Sequence, residues 1–376
     1  LGRTVRSALV CHDAKAMLWL LLESQRLWVE HGPCPELVAS LGRMGSLLVG
    51  RREDYRGAHA ICRHVLAVGE AQGWEPQVSE ARFVHATYAC HWIEPLETMY
   101  RHAVQAFEGV RTGADVSYAP YVHIILSTAF FDLAAQLDVY EVRLETGVAL
   151  CQRTGNLHAA IPHVLIRQVM HALRGQTQGE HSLDDAHFSE ADFLARIAGL
   201  PYVGKTHGEC RGIHALLMGH RAALASATDG IAMGLGNLAG YYLTVHLHFL
   251  TAVSRAWQLQ DAGGVDAGGC ILSALDESMR WLAARAADQP YNYLHLLRVV
   301  EAERAWALGD LWQAAAAFDA ALLEVETRAR PWQRAWIAER AGLFQRSRGL
   351  AHAARQLLTR ACTRYSAWGA TAKVGL

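Results

Sequence analysis

Apolar positions along this chain recur three and four residues apart, and no run alternates apolar and polar residues between turn signals, so helices are expected and strands are not. The clearest case is the stretch from Tyr291 to Leu376. Gly309, Ala314, Phe318 and Ala321 recur as Gly349, Ala354, Leu358 and Ala361, each 40 residues further on. Within each set a helix ends at the Gly, and the next helix carries small, large and small residues spaced 4 and 3 apart, hence on one stripe. Small residues let a neighbouring helix approach and the large one fills the gap between them. This is tetratricopeptide-like packing at a period longer than the ~34 residues of that repeat.

The same patterning predicts helices over 8–31, 35–49, 55–72, 77–91, 95–111, 116–136, 138–154 and 157–174. Ala58, Cys62 and Val65 repeat the 4-and-3 spacing near the start. Gly175-Gln-Thr-Gln-Gly-Glu180 is a polar break, and residues 181–206 are the least regular part, with a helix at 189–198. Helices follow at 207–218, 221–233, 237–259 and 270–287, with a flexible Gly-rich loop at Asp261–Gly269, and then the closing hairpins. The expected fold is all-α, an α-solenoid of tetratricopeptide-like antiparallel hairpins. Its parts are N-terminal repeats over 1–174, a less regular middle over 175–269 and C-terminal hairpins over 270–376, in one continuous array.

Composition narrows the function classes. Apolar residues make up 52% of the 376, enough for a continuous core, and only nine are proline. A net charge of −1 without a basic block offers no footprint for a phosphate backbone, so no nucleic-acid partner is expected. Cys11, Cys34, Cys62, Cys90, Cys151, Cys210, Cys270 and Cys362 contain no Cys-x-x-Cys pair and read as free thiols in a reducing cytoplasm. Leu1 opens no basic-then-apolar segment, so no signal peptide is expected.

Four features could carry chemistry. Gly199-Leu-Pro-Tyr-Val-Gly204-Lys205-Thr206 matches the Walker A pattern, in which backbone N–H groups cradle phosphates, Lys reaches the β/γ oxygens and Thr holds Mg²⁺. A P-loop follows a buried strand, whereas Glu190–Ile197 reads as a helix, so the match is taken as a turn between helices. An ATP-binding domain built on Gly199, Gly204, Lys205 and Thr206 is the alternative. His207, Glu209, Cys210 and His214, and His246 with His248, are the densest histidine groups, but they lack the paired spacing of zinc ligands, so no metal is expected. Gly230 to Ser254 has no charged residue over 25 positions, yet its glycines and polar residues fit a helix enclosed in an array better than a membrane span. Trp306, Trp312, Trp332 and Trp336 cluster with Tyr365 and Trp368. They read either as inter-helix packing or as anchors for a protein or peptide partner in a concave groove. No Ser/His/Asp or Cys/His set is identifiable by spacing, and Asp184-Asp185 and Asp276-Glu277 read as cap and surface residues, so no catalytic residue is assigned.

Several short motifs carry a resemblance. They are Glu301-Ala-Glu-Arg304, Leu308-Gly-Asp310 and the ending Tyr365-Ser-Ala-Trp368-Gly-Ala-Thr-Ala-Lys373-Val374, with Val29-Glu-His-Gly32, Asp54-Tyr55-Arg-Gly-Ala58, His91-Trp92-x-Glu94-Pro95-Leu96 and Ala114-Asp115-x-x-Tyr118-Ala119 upstream. Together they resemble the helical-repeat region of very large bacterial signalling proteins. Those proteins join a serine/threonine-kinase-like domain, a STAND-type AAA ATPase, helical repeats, a GAF sensor and a histidine kinase. The resemblance spans most of the chain and is faint between 176 and 290. It implies a regulatory segment whose partners are the adjoining domains of the same polypeptide. ATP and Mg²⁺ would then belong to the parent's ATPase domain, and this stretch would hold no cofactor. The first residue is not Met and the chain stops just after the Trp-Gly-Ala motif, which suggests a piece of something longer; its terminal helices would then expose apolar faces that neighbours cover. A free-standing peptide-binding adaptor, as in a transcriptional regulator, is the remaining reading.

Overall fold

The computed structural model describes residues 14–113, 116–200, 203–232 and 240–375, and every regular element among them is helical. The chain divides into two compact units, residues 1–129 with 236–242, and residues 130–235 with 243–376.

Unit 1 runs α1 (Ala14–His31), α2 (Pro35–Leu41), α3 (Met44–Arg52), α4 (Tyr55–Gln72) and α5 (Gln77–His85). A π-helical turn (Ala86–Cys90) leads into the single turn α6 (His91–Ile93), then α7 (Leu96–Thr112), a 3₁₀ turn (Val116–Tyr118) and α8 (Ala119–Leu133), within which the unit ends. Asp54 starts α4 by accepting the Gly57 N–H at 2.8 Å. The core gathers Leu21, Val38, Leu66, Val78 and Ala81. Ala58, Cys62 and Val65, spaced as expected for a packed stripe, are all buried. The single helix expected over 35–49 is two, broken at Gly42-Arg43, where Gly42 packs so closely on Ala81 of α5 that an added Cβ would lie 3.1 Å from it.

Unit 2 holds α9 (Leu137–Thr154), α10 (Leu157–Leu173), α11 (Glu190–Ile197), α12 (Val203–Met218), α13 (Arg221–Ala232) and α14 (Leu243–Asp261). It continues through α15 (Cys270–Asp288), α16 (Pro290–Ala307), α17 (Leu311–Glu326), α18 (Pro331–Ser347), α19 (Ala351–Trp368) and α20 (Thr371–Val374). Short turns make α9/α10, α12/α13, α14/α15, α16/α17 and α18/α19 antiparallel hairpins, the packing of an α-solenoid. Helix α14 also packs on α12 and α16, and most of its residues are buried.

That burial accounts for the charge-free composition there, and no described helix is long and apolar enough to cross a membrane. Residues 233–239, including the expected Gly-rich turn at 234–236 and the start of the helix placed at 237–259, lie outside the described residues, as does the beginning of the helix placed at 8–31.

The 40-residue register is real backbone geometry. Gly309 and Gly349 both adopt a left-handed conformation, φ +79° and +77°, which costs a glycine nothing sterically. Asp310 N–H then reaches back to Ala305 C=O at 2.9 Å and Leu350 N–H to Gln345 C=O at 3.0 Å, the same helix-closing bond in both. Ala314, Phe318 and Ala321 are buried, as are Ala354 and Ala361, while Leu358 packs against Gly342 of α18, where any side chain would collide with it.

The unit also closes on itself. Trp332 Nε1 donates to Asp132 at 2.7 Å, Trp368 Nε1 to Ala134 C=O at 3.1 Å and the Thr371 hydroxyl to Arg174 C=O at 3.2 Å. In an open array each hairpin touches only its neighbours. Here the last hairpin bonds to chain about 200 positions earlier, so the nearest-neighbour expectation fails at this end.

Candidate functional site

The Walker-like stretch falls between helices. Ser189 caps α11 by accepting the Asp192 N–H, Gly199 turns the chain at φ +88°, and Gly204, Lys205 and Thr206 lie in the first turn of α12, which starts earlier than the 207 expected. Pro201 and Tyr202 lie outside the described residues. Glu190 occupies the flank of that turn, taking bonds from His207 at 2.6 Å and Arg211 at 2.5 Å. Burial pushes the Glu190 carboxyl up, but these two partners outweigh it and hold the group below its ordinary value. A fixed carboxylate opposes a polyphosphate, and burial pulls the Lys205 ammonium down.

Of the four aromatic groove candidates, Trp332 and Trp336 are each 1% exposed, and Trp312 is 86% exposed. Trp336 meets Phe249 edge to face, and half-buried Trp306 lies against Phe318 and Phe344 with the Arg340 guanidinium over its ring. Thus Trp312 alone of the four presents its ring to solvent. The residues Arg346, Ala351, Ala354, Arg355, Leu358 and Cys362 line a shallow hollow of about 460 Å³ on α18 and α19.

Inside unit 2 the helices converge on buried charge. His246 of α14 bridges Asp132 (Nε2 to Oδ2, 3.1 Å) and Glu209 of α12 (Nδ1 to Oε1, 2.9 Å), while Trp332 satisfies the other Asp132 oxygen. Burial works against a charged His246, but the two carboxylates outweigh it and lift the imidazole to about 10; burial likewise lifts the Glu209 carboxyl. The group therefore keeps its proton well above neutral pH. Because the folded His246 value lies above the ordinary 6.5, its stabilisation is complete below that pH and is lost as pH climbs toward 10. The urea midpoint of the wild type is expected to fall between pH 6.5 and 10 more steeply than that of His246→Gln. Parallel slopes would show that the network does not hold the proton.

The histidines singled out by density in the sequence disperse. His207 turns to Glu190, Glu209 to His246, and His248 stacks on Trp281 at 4.2 Å. A tighter group forms in unit 1 from residues far apart in the chain. Ligand atoms of His85, Cys90 and His102 all lie within 4.8 Å of one another, as do those of His59, His85 and Glu94. His59 Nε2 bonds Glu94 Oε1 at 2.7 Å, and the His85 ring sits 5.4 Å from that of His59 and 5.1 Å from that of His102. The only sequence signal for this group was the pair His85 and Cys90 at a spacing of five, which an ideal α-helix would splay apart by about 140°.

Comparison of the chain with protein-family models, curated proteins and solved structures finds no match.

Proposed function

We propose that this chain is a non-catalytic helical-repeat scaffold, the regulatory segment of a multidomain, ATP-binding signalling kinase of the cytoplasm. What carries the reading is the sheet-free stack of antiparallel hairpins whose last two members share one backbone register over 40 residues. Stacked helical hairpins offer long surfaces to protein partners and transmit small rotations from one hairpin to the next. The motifs behind the resemblance have structural work in this frame. Tyr365 Oη donates to Glu339 at 2.8 Å, Lys373 Nζ bonds the same carboxylate at 2.7 Å, and Trp368 ties α19 to Ala134.

A second observation supports contact with adjoining domains of the same polypeptide. Helix α1 buries Leu20, Leu21 and Ser24 but leaves Leu18, Trp19, Leu22 and Val29 exposed, Trp19 at 64% and Val29 at 78%. The residues 18, 22 and 29 follow helical spacing, so these side chains share one side of α1 and suit a further helix laid along it. Free thiols at Cys34, Cys62, Cys90, Cys151, Cys210, Cys270 and Cys362 fit a reducing compartment.

The test compares this chain with a longer polypeptide that carries the residues upstream. Calorimetry with Mg²⁺-ATP is expected to give no heat with the chain alone and saturable binding with the longer form. Amide exchange over Leu18–Val29 is expected to slow in the longer form. Saturable binding by the chain alone that Lys205→Ala abolishes would overturn the scaffold reading in favour of a P-loop at Gly199–Thr206. Unchanged exchange over α1 would remove the case for a neighbour on that face.

A further inference from the structure

The π-helical turn in unit 1 does something an α-helix cannot. In an α-helix residues five apart diverge by about 140°, whereas a π turn, with its i→i+5 bond, stacks them. Ala86–Cys90 is such a turn, and the Cys90 thiol lies within 4.8 Å of a His85 ring nitrogen. Turns of this kind concentrate at functional sites, since they cost helix geometry and persist only where something repays the loss.

The groups gathered there are metal-ligand types with open valences. His85 is fully buried, and both of its ring nitrogens, together with Nδ1 of His102, have no hydrogen-bond partner. An orphaned buried nitrogen costs about 1–3 kcal/mol. Single orphaned nitrogens also occur at His214 and His295, but His295 bonds Gln333 through its other nitrogen at 2.6 Å, and His246 bonds two carboxylates. Cys62 is also occupied, its thiol directed to Gly42 C=O at 3.3 Å.

We propose that His85, Cys90, His102 and Glu94 form a tetrahedral zinc site, with His59 orienting Glu94. Zn²⁺ bonds of about 2.0–2.3 Å place ligand atoms about 3.3–3.8 Å apart, so the 4.8 Å grouping of His85, Cys90 and His102 needs only small side-chain rotations to close, while Glu94, grouped with His85 and His59 instead, must swing toward Cys90 and His102 to give the fourth bond. Glu94 Oε1 lies 3.9 Å from His85 Nε2. His59 holds Glu94 from outside, the usual arrangement of a ligand carboxylate supported by a hydrogen-bond donor.

Charge and protonation agree. One thiolate and one carboxylate would neutralise Zn²⁺, with the two imidazoles bound in their neutral form. Binding the metal as a thiolate would release the Cys90 thiol proton to solvent. Ligands from α5, the π turn, α7 and the link between α6 and α7, with His59 of α4 behind Glu94, would tie these segments of unit 1 together, a structural rather than catalytic use of zinc.

Purified protein dialysed against Zn²⁺ and then against metal-free buffer tests the site. One zinc per chain is expected to remain, and X-ray absorption is expected to show a shell of one sulfur and three nitrogen or oxygen scatterers. Cobalt substitution should give tetrahedral d–d bands with a thiolate-to-cobalt charge-transfer band. Cys90→Ser should remove the sulfur scatterer and that band, and His102→Gln should weaken zinc binding at least ~10-fold, the lower end of what losing even a supporting group costs. His181→Ala, in the exposed Glu180/His181/His220 group, should change nothing. A wild-type shell without sulfur, zinc that dialyses away, or a cobalt–thiolate band that survives Cys90→Ser would each overturn the assignment. The wild-type absorption spectrum decides the matter even if Cys90→Ser fails to fold.

Discussion

Trp368→Ala is expected to destabilise the protein by about 3–5 kcal/mol, the range for truncating a large buried aromatic. Trp368 is 1% exposed, its ring edge meets Phe131 at 5.9 Å, and its indole N–H is the donor for Ala134 C=O. The change empties a cavity where α19 meets the end of α8 and leaves a buried carbonyl without its partner. Trp368→Phe keeps most of the apolar contact and loses the hydrogen bond, so about 1–2 kcal/mol is expected. Urea unfolding followed by circular dichroism measures both. A loss below about 1 kcal/mol for the alanine variant would show that the closure of unit 2 does not depend on this contact.

Glu303→Ala is expected to cost a similar ~3–5 kcal/mol for a different reason: it strands a charge. Glu303 is fully buried and takes two bonds from Arg340, at 2.6 and 3.0 Å. Trp257 Nε1 and Gln260 Nε2 also donate to it, at 3.2 and 2.9 Å. Without the carboxylate, the Arg340 guanidinium stays buried between the rings of Trp257 and Trp306, 4.7 and 5.3 Å from their centres, with no anion. Replacing both partners with apolar residues of similar volume, Glu303→Leu with Arg340→Met, removes the stranded charge and should recover most of the loss. A double variant as unstable as Glu303→Ala would show that packing of the two stems, not charge, holds α16 to α18.

Much of this was legible in the residues. The 4-and-3 stripes at Ala58/Cys62/Val65 and Ala314/Phe318/Ala321 are buried as their spacing requires, and Gly309 and Gly349 end their helices in the left-handed turn that only glycine adopts cheaply. Harder to read was the break at Gly42, where the backbone packs closely on Ala81 of another helix. The aromatic residues show the same limit. Trp312 and Trp332 both lie in the first turn of a helix in the closing stretch, but one faces solvent and the other bonds Asp132, 200 positions earlier in the chain.

Helix content and hairpin order depend on contacts three and four residues apart and on the turn residues between them, and those are written along the chain in order. That local pattern suffices to read an all-α stack with a repeat of 40 residues from the chain. Packing between distant segments sets the rest: the last hairpin returns to α8, Asp132, Glu209 and His246 share one buried site, and a π turn gathers Cys90 with His85 and His102 within 4.8 Å. Each of those depends on where distant segments come to lie, and a helix pattern specifies which side of a helix is buried but not which distant residue will meet it.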